Sequence, residues 1–227
     1  MIIKIVRHGE SVANSGEILY NSMPDPKVPL SIKGIEQAKA VGQTLGQEFL
    51  TFRSLVYRSP YLRTRQTLDY IYQGAGVPDE SKKFYEDPRL REISHGYSKT
   101  PEKISAEEKA RELEGWFYYQ FSNGGESPAQ CYDRVSLFIE SMMRQVKRKN
   151  ASRILIVSHG LTIRCLVMRW LHLTVEQFDA LRNPKNCSII TIAPREYLNE
   201  PQFTRGKWGV TGLDLTPRVP KNEEIIA

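Results

Sequence analysis

The sequence contains no apolar run that approaches the roughly 18 residues needed to cross a lipid bilayer. Its first residues form a short apolar stretch with one Lys, and they lack the longer apolar region and the small-residue cleavage site of a signal peptide. These absences argue against a helical membrane protein, and we expect a cytoplasmic protein with no membrane partner.

Cysteine is also scarce. The chain has three cysteines, which are far apart and form no Cys-x-x-Cys pair: Cys131, Cys165 and Cys187. An odd number without close pairing argues against a disulfide scaffold and against a zinc site, and it is typical of a reducing compartment. We therefore expect the three thiols to be core residues rather than reactive groups.

Long basic blocks are missing as well, although the net charge is +6. The densest cluster, Lys147–Lys149, lies at the end of a predicted helix, where cations complement the helix dipole. A nucleic-acid-binding protein would concentrate its basic residues on one surface, so we expect no nucleic-acid partner. A small phosphorylated substrate accounts for the positive charge equally well.

What the chain does contain is a regular alternation of apolar strands and amphipathic helices. Ser31 is a predicted helix N-cap, Pro60 is a predicted helix start, and a long helix is predicted from about Pro128 to Lys149. Strands are predicted at Ile2–Val6, Ser54–Tyr57, Ile154–Val157 and Ser188–Ile192, with a further strand or extended segment at Phe84–Leu90. This order predicts an α/β fold, a three-layer α/β/α sandwich around a mainly parallel central sheet.

The length favours a single domain, which we place at residues 1–212, followed by a loosely ordered tail at 213–227. A charged insertion at about 97–127 should contain one helix, Ala106–Leu113. The insertion also holds an aromatic cluster, namely Trp116, Phe117, Tyr118, Tyr119 and Phe121. Packing onto the body, a lid and a dimer contact are all open roles for this cluster, and the chain is compatible with a homodimer.

Polar side chains follow the predicted strands at the points where the strands end. Arg7 and His8 come directly after the first strand, Arg63 follows the second within a few residues, and His159 follows Ile154–Val157. Because parallel strands bring their carboxyl ends to one edge of a sheet, we expect these four side chains to converge. Two guanidinium groups repel a divalent metal and favour an anion with several oxygens, most simply a phosphoryl group.

A neutral imidazole at His8 could attack phosphorus and form a phosphohistidine. His159 and the two arginines could then hydrogen-bond the oxygens whose charge changes in the transition state. Glu92 lies in an extended segment expected to lead to the same crevice, where a carboxyl group can act first as an acid and then as a base.

Several segments carry a family resemblance. Arg7-His8-Gly9-Glu10-Ser11, followed by Asn14, resembles the signature of the histidine phosphatase superfamily, whose members share the phosphoglycerate mutase-like fold. Further segments resemble that family in the same order along most of the chain, at 30–38, 59–67, 90–96, 125–134 and 158–164.

The resemblance implies that His8 is the phosphorylated nucleophile and that Arg7, Arg63 and His159 form the phosphate pocket. It further implies Glu92 as the acid/base and Asn14 as an additional contact to the phosphate. By the same resemblance, neither a metal nor an organic cofactor is expected.

The chain departs from the family pattern in two places. His95 precedes Gly96 where family members more often have an aromatic residue, so His95 either touches the substrate or is a merely exposed or structural histidine. Only 33 residues separate Glu92 from Glu126, fewer than in the mutases of the family, and a less enclosed pocket favours attack by water. We therefore predict a cofactor-independent phosphomonoester hydrolase that acts through phospho-His8. A phosphoglycerate mutase and a weakly active phospho-ligand-binding protein are the alternatives.

Overall fold

The structure is a computed structural model that describes residues 1–18, 23–96 and 101–215, without the side chains of 101–105 and 108. Its strands are β1 (Ile2–Arg7), β2 (Ser54–Arg58), β3 (Tyr85–Glu86), β4 (Arg153–Ser158), β5 (Ile189–Pro194), β6 (Phe203–Arg205) and β7 (Trp208–Thr211). Its α-helices are α1 (Ile32–Thr51), α2 (Leu62–Gly74), α3 (Pro101–Glu114), α4 (Pro128–Lys149), α5 (Gly160–Leu171) and α6 (Val175–Ala180). Within the described ranges, every helix is too short or too polar to span a membrane.

The seven strands form one sheet in the order β3-β2-β4-β1-β5-β7-β6. β1 to β4 pair in parallel, whereas β5 is antiparallel to β1, β7 to β5, and β6 to β7. Five of these seven strands therefore run in one direction, which confirms the mainly parallel sheet. The antiparallel pairing of β5 and the β6–β7 hairpin were not predicted.

Alternate residues of the central strand β4 face two separate cores. Ile154 and Ile156 pack in the core covered by α4 and α5, and Leu155 and Val157 pack in the core covered by α1 and α2. Because both faces of the sheet are covered by helices, its strands are apolar on both sides. The predicted three-layer α/β/α architecture is confirmed.

The positions at which the helices begin agree better with their N-capping residues than with the positions of prolines. The N-cap at Ser31 is confirmed, since its hydroxyl accepts a hydrogen bond from a backbone N–H three residues further on. α4 spans Pro128–Lys149 as predicted. The predicted helix start at Pro60 is wrong, because the first carbonyl that accepts helical hydrogen bonds is that of Tyr61 and the helix begins at Leu62.

The segment predicted as a strand or extended at Phe84–Leu90 is mostly not a strand. Only Tyr85–Glu86 pairs with β2. A 3-10 turn follows at Pro88–Leu90, because the Asp87 carboxylate accepts a hydrogen bond from the Arg89 backbone N–H at 2.9 Å and caps the turn.

The insertion packs against the body of the domain. Its predicted helix lies within α3, and residues 97–100 lie outside the described residues. Phe117, Tyr119 and Phe121 are buried in the core shared with α4 and α5, whereas Tyr118 is 64% exposed. Of the three roles open to the aromatic cluster, packing onto the body is the one these contacts support.

All three cysteines are buried and free, as expected for core residues. Burial raises the pKa of the Cys165 thiol well above its ordinary value and raises the pKa of Cys187 to about 12. At neutral pH these two groups are therefore neutral thiols rather than nucleophilic thiolates.

The chain remains in contact with the domain beyond residue 212. The Gln202 side chain accepts a hydrogen bond from the Leu213 N–H and donates one to the Leu213 carbonyl, both at 2.7 Å. Leu215 forms a β-bridge with Leu181. The domain boundary at 212 stays a prediction, and most of the predicted tail, 216–227, lies outside the described residues.

Candidate active site

The carboxyl ends of β1, β2 and β4 meet at one edge of the sheet. The parallel register places Arg7, the last residue of β1, beside Ser158, the last residue of β4. His8 and His159 follow directly, and the His8 N–H donates to the Ser158 carbonyl at 3.0 Å. The N–H of Ser59, just after β2, donates to another β4 carbonyl at 3.1 Å. Strand pairing alone therefore brings the two histidines side by side.

His8 is 4% exposed, and its two ring nitrogens have different partners. Nδ1 lies 2.8 Å from the Gly9 carbonyl, which can only accept, so Nδ1 carries the proton. Nε2 then has its lone pair available, and it accepts a hydrogen bond from Arg63 Nε at 3.3 Å. Burial, followed by the charges of Arg63 and Arg7, holds the pKa of His8 well below its ordinary value. His8 is a neutral imidazole at neutral pH.

The backbone after His8 is held close to α1 and α2. The Gly9 N–H donates to the Thr67 hydroxyl at 3.0 Å. A Cβ atom at Gly9 would overlap the Gly34 carbonyl of α1, so only glycine fits here. This contact fixes the turn that presents the His8 ring.

His159 is fully buried, and its ring centroid lies 5.2 Å from that of His8. Its Nε2 lies 2.8 Å from the Ser59 hydroxyl, which also accepts from the Tyr61 N–H at 3.4 Å. No other acceptor for the Ser59 proton is found among the described residues, so Ser59 donates to Nε2 and the imidazole proton lies on Nδ1. His159 Nδ1 has no hydrogen-bond partner in the described part of the chain.

The pKa of His159 is also held well below its ordinary value, first by burial and then by the positive charge of Arg63. A buried, neutral imidazole with an N–H that no protein group accepts is suited to donate to an oxygen of a bound anion.

Arg63 lies in the first turn of α2 and is buried, with a side chain 6% exposed. Besides His8, its partner is Asp25, in a 3-10 turn of the loop between β1 and α1. Arg63 Nη1 donates to Asp25 Oδ1 at 2.9 Å and to the Asp25 carbonyl at 2.8 Å, and Nη2 donates to Oδ2 at 3.2 Å. Asp25 was not among the predicted site residues, because no local pattern links this loop to Arg63.

Arg7 is held by the loop that precedes β5. Its Nη1 donates to the Pro184 carbonyl at 2.7 Å. In the same loop, Asn186 Nδ2 donates to the His8 carbonyl at 3.0 Å and to Asn14 Oδ1 at 3.4 Å. Asn186 was also not predicted, although an Asn-rich turn directly before a strand is a signal that could have drawn attention to it.

Asn14 lies beside this cluster and organises the loop after β1. Its Oδ1 accepts from the Ser11 N–H at 3.3 Å, and its own N–H donates to the Ser11 hydroxyl at 3.2 Å. Glu10 pairs with Lys33 at 2.8 Å, and this hydrogen bond lowers the pKa of the Glu10 carboxyl. Ser11 and Glu10 therefore position the loop.

The Glu92 side chain lies at the N-terminus of α5, the helix that begins directly after His159. Its carboxylate accepts from the Ile93 N–H at 3.0 Å, the Thr162 N–H at 3.3 Å and the Leu161 N–H at 3.4 Å. The Thr162 hydroxyl donates to the neighbouring Arg91 carbonyl at 2.7 Å. The positive end of the helix dipole thus holds the carboxylate at the same edge of the sheet as the histidines.

Glu126 fixes the segment that carries Glu92. Its carboxylate accepts from Arg134 at 2.8 and 3.0 Å and from Arg91 at 3.0 Å. Arg134 also donates to the Arg89 carbonyl at 2.6 Å. Glu126 is therefore part of a structural ion-pair cluster.

His95 is exposed, and its ring packs on Phe121 with a centroid distance of 4.7 Å.

The four side chains expected to converge are brought together: Arg63 bonds His8, the His8 and His159 rings are adjacent, and the Arg7 charge acts on both histidines. Glu92 binds the first turn of α5, which follows His159. Among the described residues, no group of three or more His, Cys, Asp or Glu side chains is placed to hold a metal ion. Two neutral imidazoles and two guanidinium groups favour an anion such as a phosphoryl group.

Comparisons with known proteins agree in pointing to one family. The sequence profile of the histidine phosphatase superfamily (branch 1) matches residues 3–204. The chain is 38% identical over 206 residues to "Phosphoglycerate mutase-like protein AT74" of Arabidopsis thaliana, covering 82% of this chain and 63% of that protein. It therefore spans less than two thirds of that relative's length.

Two further proteins bear phosphatase names. The chain is 30% identical over 118 residues to "Broad-range acid phosphatase DET1" of Saccharomyces cerevisiae, covering 50% of this chain and 35% of that protein. The structure of the alpha-ribazole phosphatase from Shigella flexneri superposes with a TM-score of 0.68 and 25% identity, covering 94% of this chain and 96% of that one.

Proposed function

The chain belongs to the histidine phosphatase superfamily, and we propose that it is a metal-independent phosphomonoester hydrolase that works through a phosphohistidine on His8. The observation that carries the proposal is the state of His8. Its Nδ1–H is bound to the Gly9 carbonyl, its pKa is depressed, and its Nε2 lone pair faces the guanidinium of Arg63. This is the form of histidine that can attack phosphorus at neutral pH.

In the first step, His8 Nε2 forms a bond to phosphorus while the bond from phosphorus to the ester oxygen breaks. Glu92, entering the step as a carboxylic acid, transfers its proton to the departing oxygen, so that the alcohol leaves neutral. Arg7, Arg63 and the Nδ1–H of His159 donate hydrogen bonds to the non-bridging oxygens, whose charge changes in the transition state.

In the second step, Glu92 as a carboxylate takes a proton from water, and the water oxygen attacks phosphorus. The bond from phosphorus to Nε2 then breaks, which restores neutral His8 and releases inorganic phosphate. Asn186 donates hydrogen bonds to both the His8 carbonyl and the Asn14 side chain, which places Asn14 near His8. There Asn14 would add a contact to the phosphate.

We propose a small phosphorylated molecule as the substrate. The names of the acid phosphatase and alpha-ribazole phosphatase relatives support hydrolysis, and a cationic pocket at the sheet edge fits a phosphate monoester. A mutase is the second candidate, because the Arabidopsis relative is named phosphoglycerate mutase-like. A cytoplasmic location and a homodimer stay predictions.

The test is phosphate release from p-nitrophenyl phosphate in the presence of EDTA, with wild-type protein and His8→Ala. His172→Asn is the matched control, because His172 is exposed at the end of α5 and adopts a positive φ that asparagine tolerates. We expect His8→Ala to lose activity by about 10³-fold or more and His172→Asn to retain it.

A phosphorus-labelled substrate should leave an acid-labile label on the wild-type protein and none on His8→Ala. Undiminished turnover by His8→Ala would contradict the proposal. Isomerisation of 3-phosphoglycerate faster than its hydrolysis would favour the mutase, and tight phosphate binding without turnover would favour the binding protein.

A further inference from the structure

The guanidinium of Arg63 is already occupied by a carboxylate of its own chain. We propose that Asp25 is an internal substitute for the substrate's phosphoryl group, which substrate must displace from Arg63 before His8 can react. This inference rests on the proposed function, since it takes Arg63 to be a phosphate ligand. It makes Asp25 a residue that sets the affinity of the pocket for phosphate.

The hydrogen bonds of Arg63 leave little room for a second anion. A guanidinium has five N–H groups, and the described contacts use one at Nε for His8, two at Nη1 and one at Nη2 for Asp25. Two edges of a guanidinium can hold a phosphate through parallel N–H bonds. Asp25 occupies the Nη1–Nη2 edge, and His8 engages the Nε–H of the Nε–Nη2 edge. Asp25 and a phosphate on the Nη1–Nη2 edge exclude each other.

The same arrangement also blocks the nucleophile. The Nε–H of Arg63 points at the Nε2 lone pair of His8 from 3.3 Å, which is the lone pair that must reach phosphorus. Asp25 holds Arg63 in that position from the opposite end of the guanidinium. Release of Asp25 would therefore free the guanidinium for phosphate and the lone pair for attack.

Burial explains why the empty pocket needs such a partner. The Arg63 side chain is 6% exposed, and a buried guanidinium without a counter-charge is costly. Phosphate would supply that counter-charge when bound, and Asp25 supplies it otherwise. Arg63 therefore keeps a negatively charged partner both when phosphate is bound and when it has left the pocket.

The exposure of Asp25 distinguishes this pair from a permanent one. The Asp25 side chain is 43% exposed, so its carboxylate can return to water when it leaves Arg63. In the structural pair of Glu126 with Arg134, both side chains are about one tenth exposed. Separating them would leave a buried charge without a partner.

The test is calorimetric titration with inorganic phosphate of wild-type protein, Asp25→Asn, Asp25→Ala and Arg63→Gln. Asp133→Asn, at an exposed position of α4, controls for the loss of one negative charge. We expect Asp25→Asn and Asp25→Ala to bind phosphate about 5-fold more tightly than wild type, because a half-exposed ion pair is a modest competitor. Asp133→Asn should match wild type, and Arg63→Gln should lose binding.

Unchanged or weaker phosphate binding by both Asp25 variants would overturn the inference, since that is the result of a merely supporting role for Asp25. If wild type binds phosphate and Arg63→Gln binds it equally well, the assignment of Arg63 fails, and the proposed function and the inference fail together.

A crystal structure of the wild-type protein with phosphate provides a second measurement that requires no variant. We expect the Asp25 carboxylate to have left Arg63. A phosphate on Arg63 with Asp25 still bound through both carboxylate oxygens would overturn the inference and leave the proposed function intact.

Discussion

The rings of His8 and His159 lie 5.2 Å apart at the ends of two adjacent parallel strands, and one nitrogen of each has a hydrogen-bond partner that fixes the tautomer. For His8 this partner is the Gly9 carbonyl at Nδ1, and for His159 it is the Ser59 hydroxyl at Nε2. The two imidazoles therefore differ in function although both are neutral. His8 offers a lone pair, and His159 offers an N–H group.

The first prediction concerns the dependence of stability on pH. Burial lowers the pKa of both histidines in the folded protein, so below about pH 6.5 the unfolded chain binds protons that the folded protein does not. The free energy of unfolding should therefore fall as the pH drops below 6.5. Between pH 7.5 and 5.5 each histidine should contribute a loss on the order of 1 kcal/mol.

Urea unfolding of wild type and His8→Gln at the two pH values measures this contribution. The loss on acidification should be smaller in His8→Gln by roughly 1 kcal/mol, which is the share of one histidine. Equal losses in the two proteins would show that His8 keeps an ordinary pKa when folded.

The second prediction concerns Ser59→Ala. Without the Ser59 hydroxyl, His159 no longer has a partner that keeps its proton on Nδ1, and one buried hydrogen bond is lost. We expect kcat for an aryl phosphate to fall about 10-fold with little change in KM. Ser136→Ala, on α4, is the control, because Ser136 bonds only the carbonyl one turn before it in the described structure. A fall in thermal stability with unchanged kcat would show that Ser59 is only structural.

The third prediction concerns the proposed acid, and it uses leaving groups of different basicity. Glu92→Gln cannot protonate the departing oxygen, and a basic alkoxide needs that proton more than a nitrophenolate does. We expect hydrolysis of an alkyl phosphate to fall by about 10³-fold and hydrolysis of p-nitrophenyl phosphate by about 10-fold. Steady-state kinetics on both substrates checks this, and equal losses would argue against Glu92 as the acid.

The fourth prediction concerns the structural role of Glu126. Glu126→Gln leaves Arg134 buried beside an amide, so the free energy of unfolding should fall by about 3 kcal/mol. Glu36→Gln breaks the exposed pair with Lys39 and should change stability by less than about 0.5 kcal/mol. Chemical denaturation measures both. If Glu126→Gln kept full stability, the ion-pair cluster would not be what fixes the Glu92 segment.

Much of the fold could be predicted because the relevant signals are local. Ser31 caps α1 with its own side chain, and α4 is amphipathic along its whole length. The β6–β7 hairpin and the antiparallel placement of β5 could not be predicted, because strand direction depends on which neighbour a strand meets after the chain has crossed the domain. Pro60 illustrates the limit of a local rule, since the helix begins two residues later at Leu62.

The convergence of Arg7, His8, Arg63 and His159 also followed from sequence, since parallel strands align their carboxyl ends and each residue lies just after a strand or early in the following helix. Asp25, Ser59 and Asn186 did not follow from it. Each makes its contact through a loop or turn whose path is set by packing against distant residues. Asp25, for example, meets a guanidinium 38 positions further along the chain.

The sequence by itself determined the layered α/β architecture and which side chains meet at the sheet edge, because residue periodicity and strand ends are encoded locally. Only the tertiary structure decided the states of those side chains: the neutral histidines, the tautomer of each, and the carboxylate on Arg63. Those states depend on burial and on hydrogen-bond partners brought together from separate segments, and no single stretch of the chain contains that information.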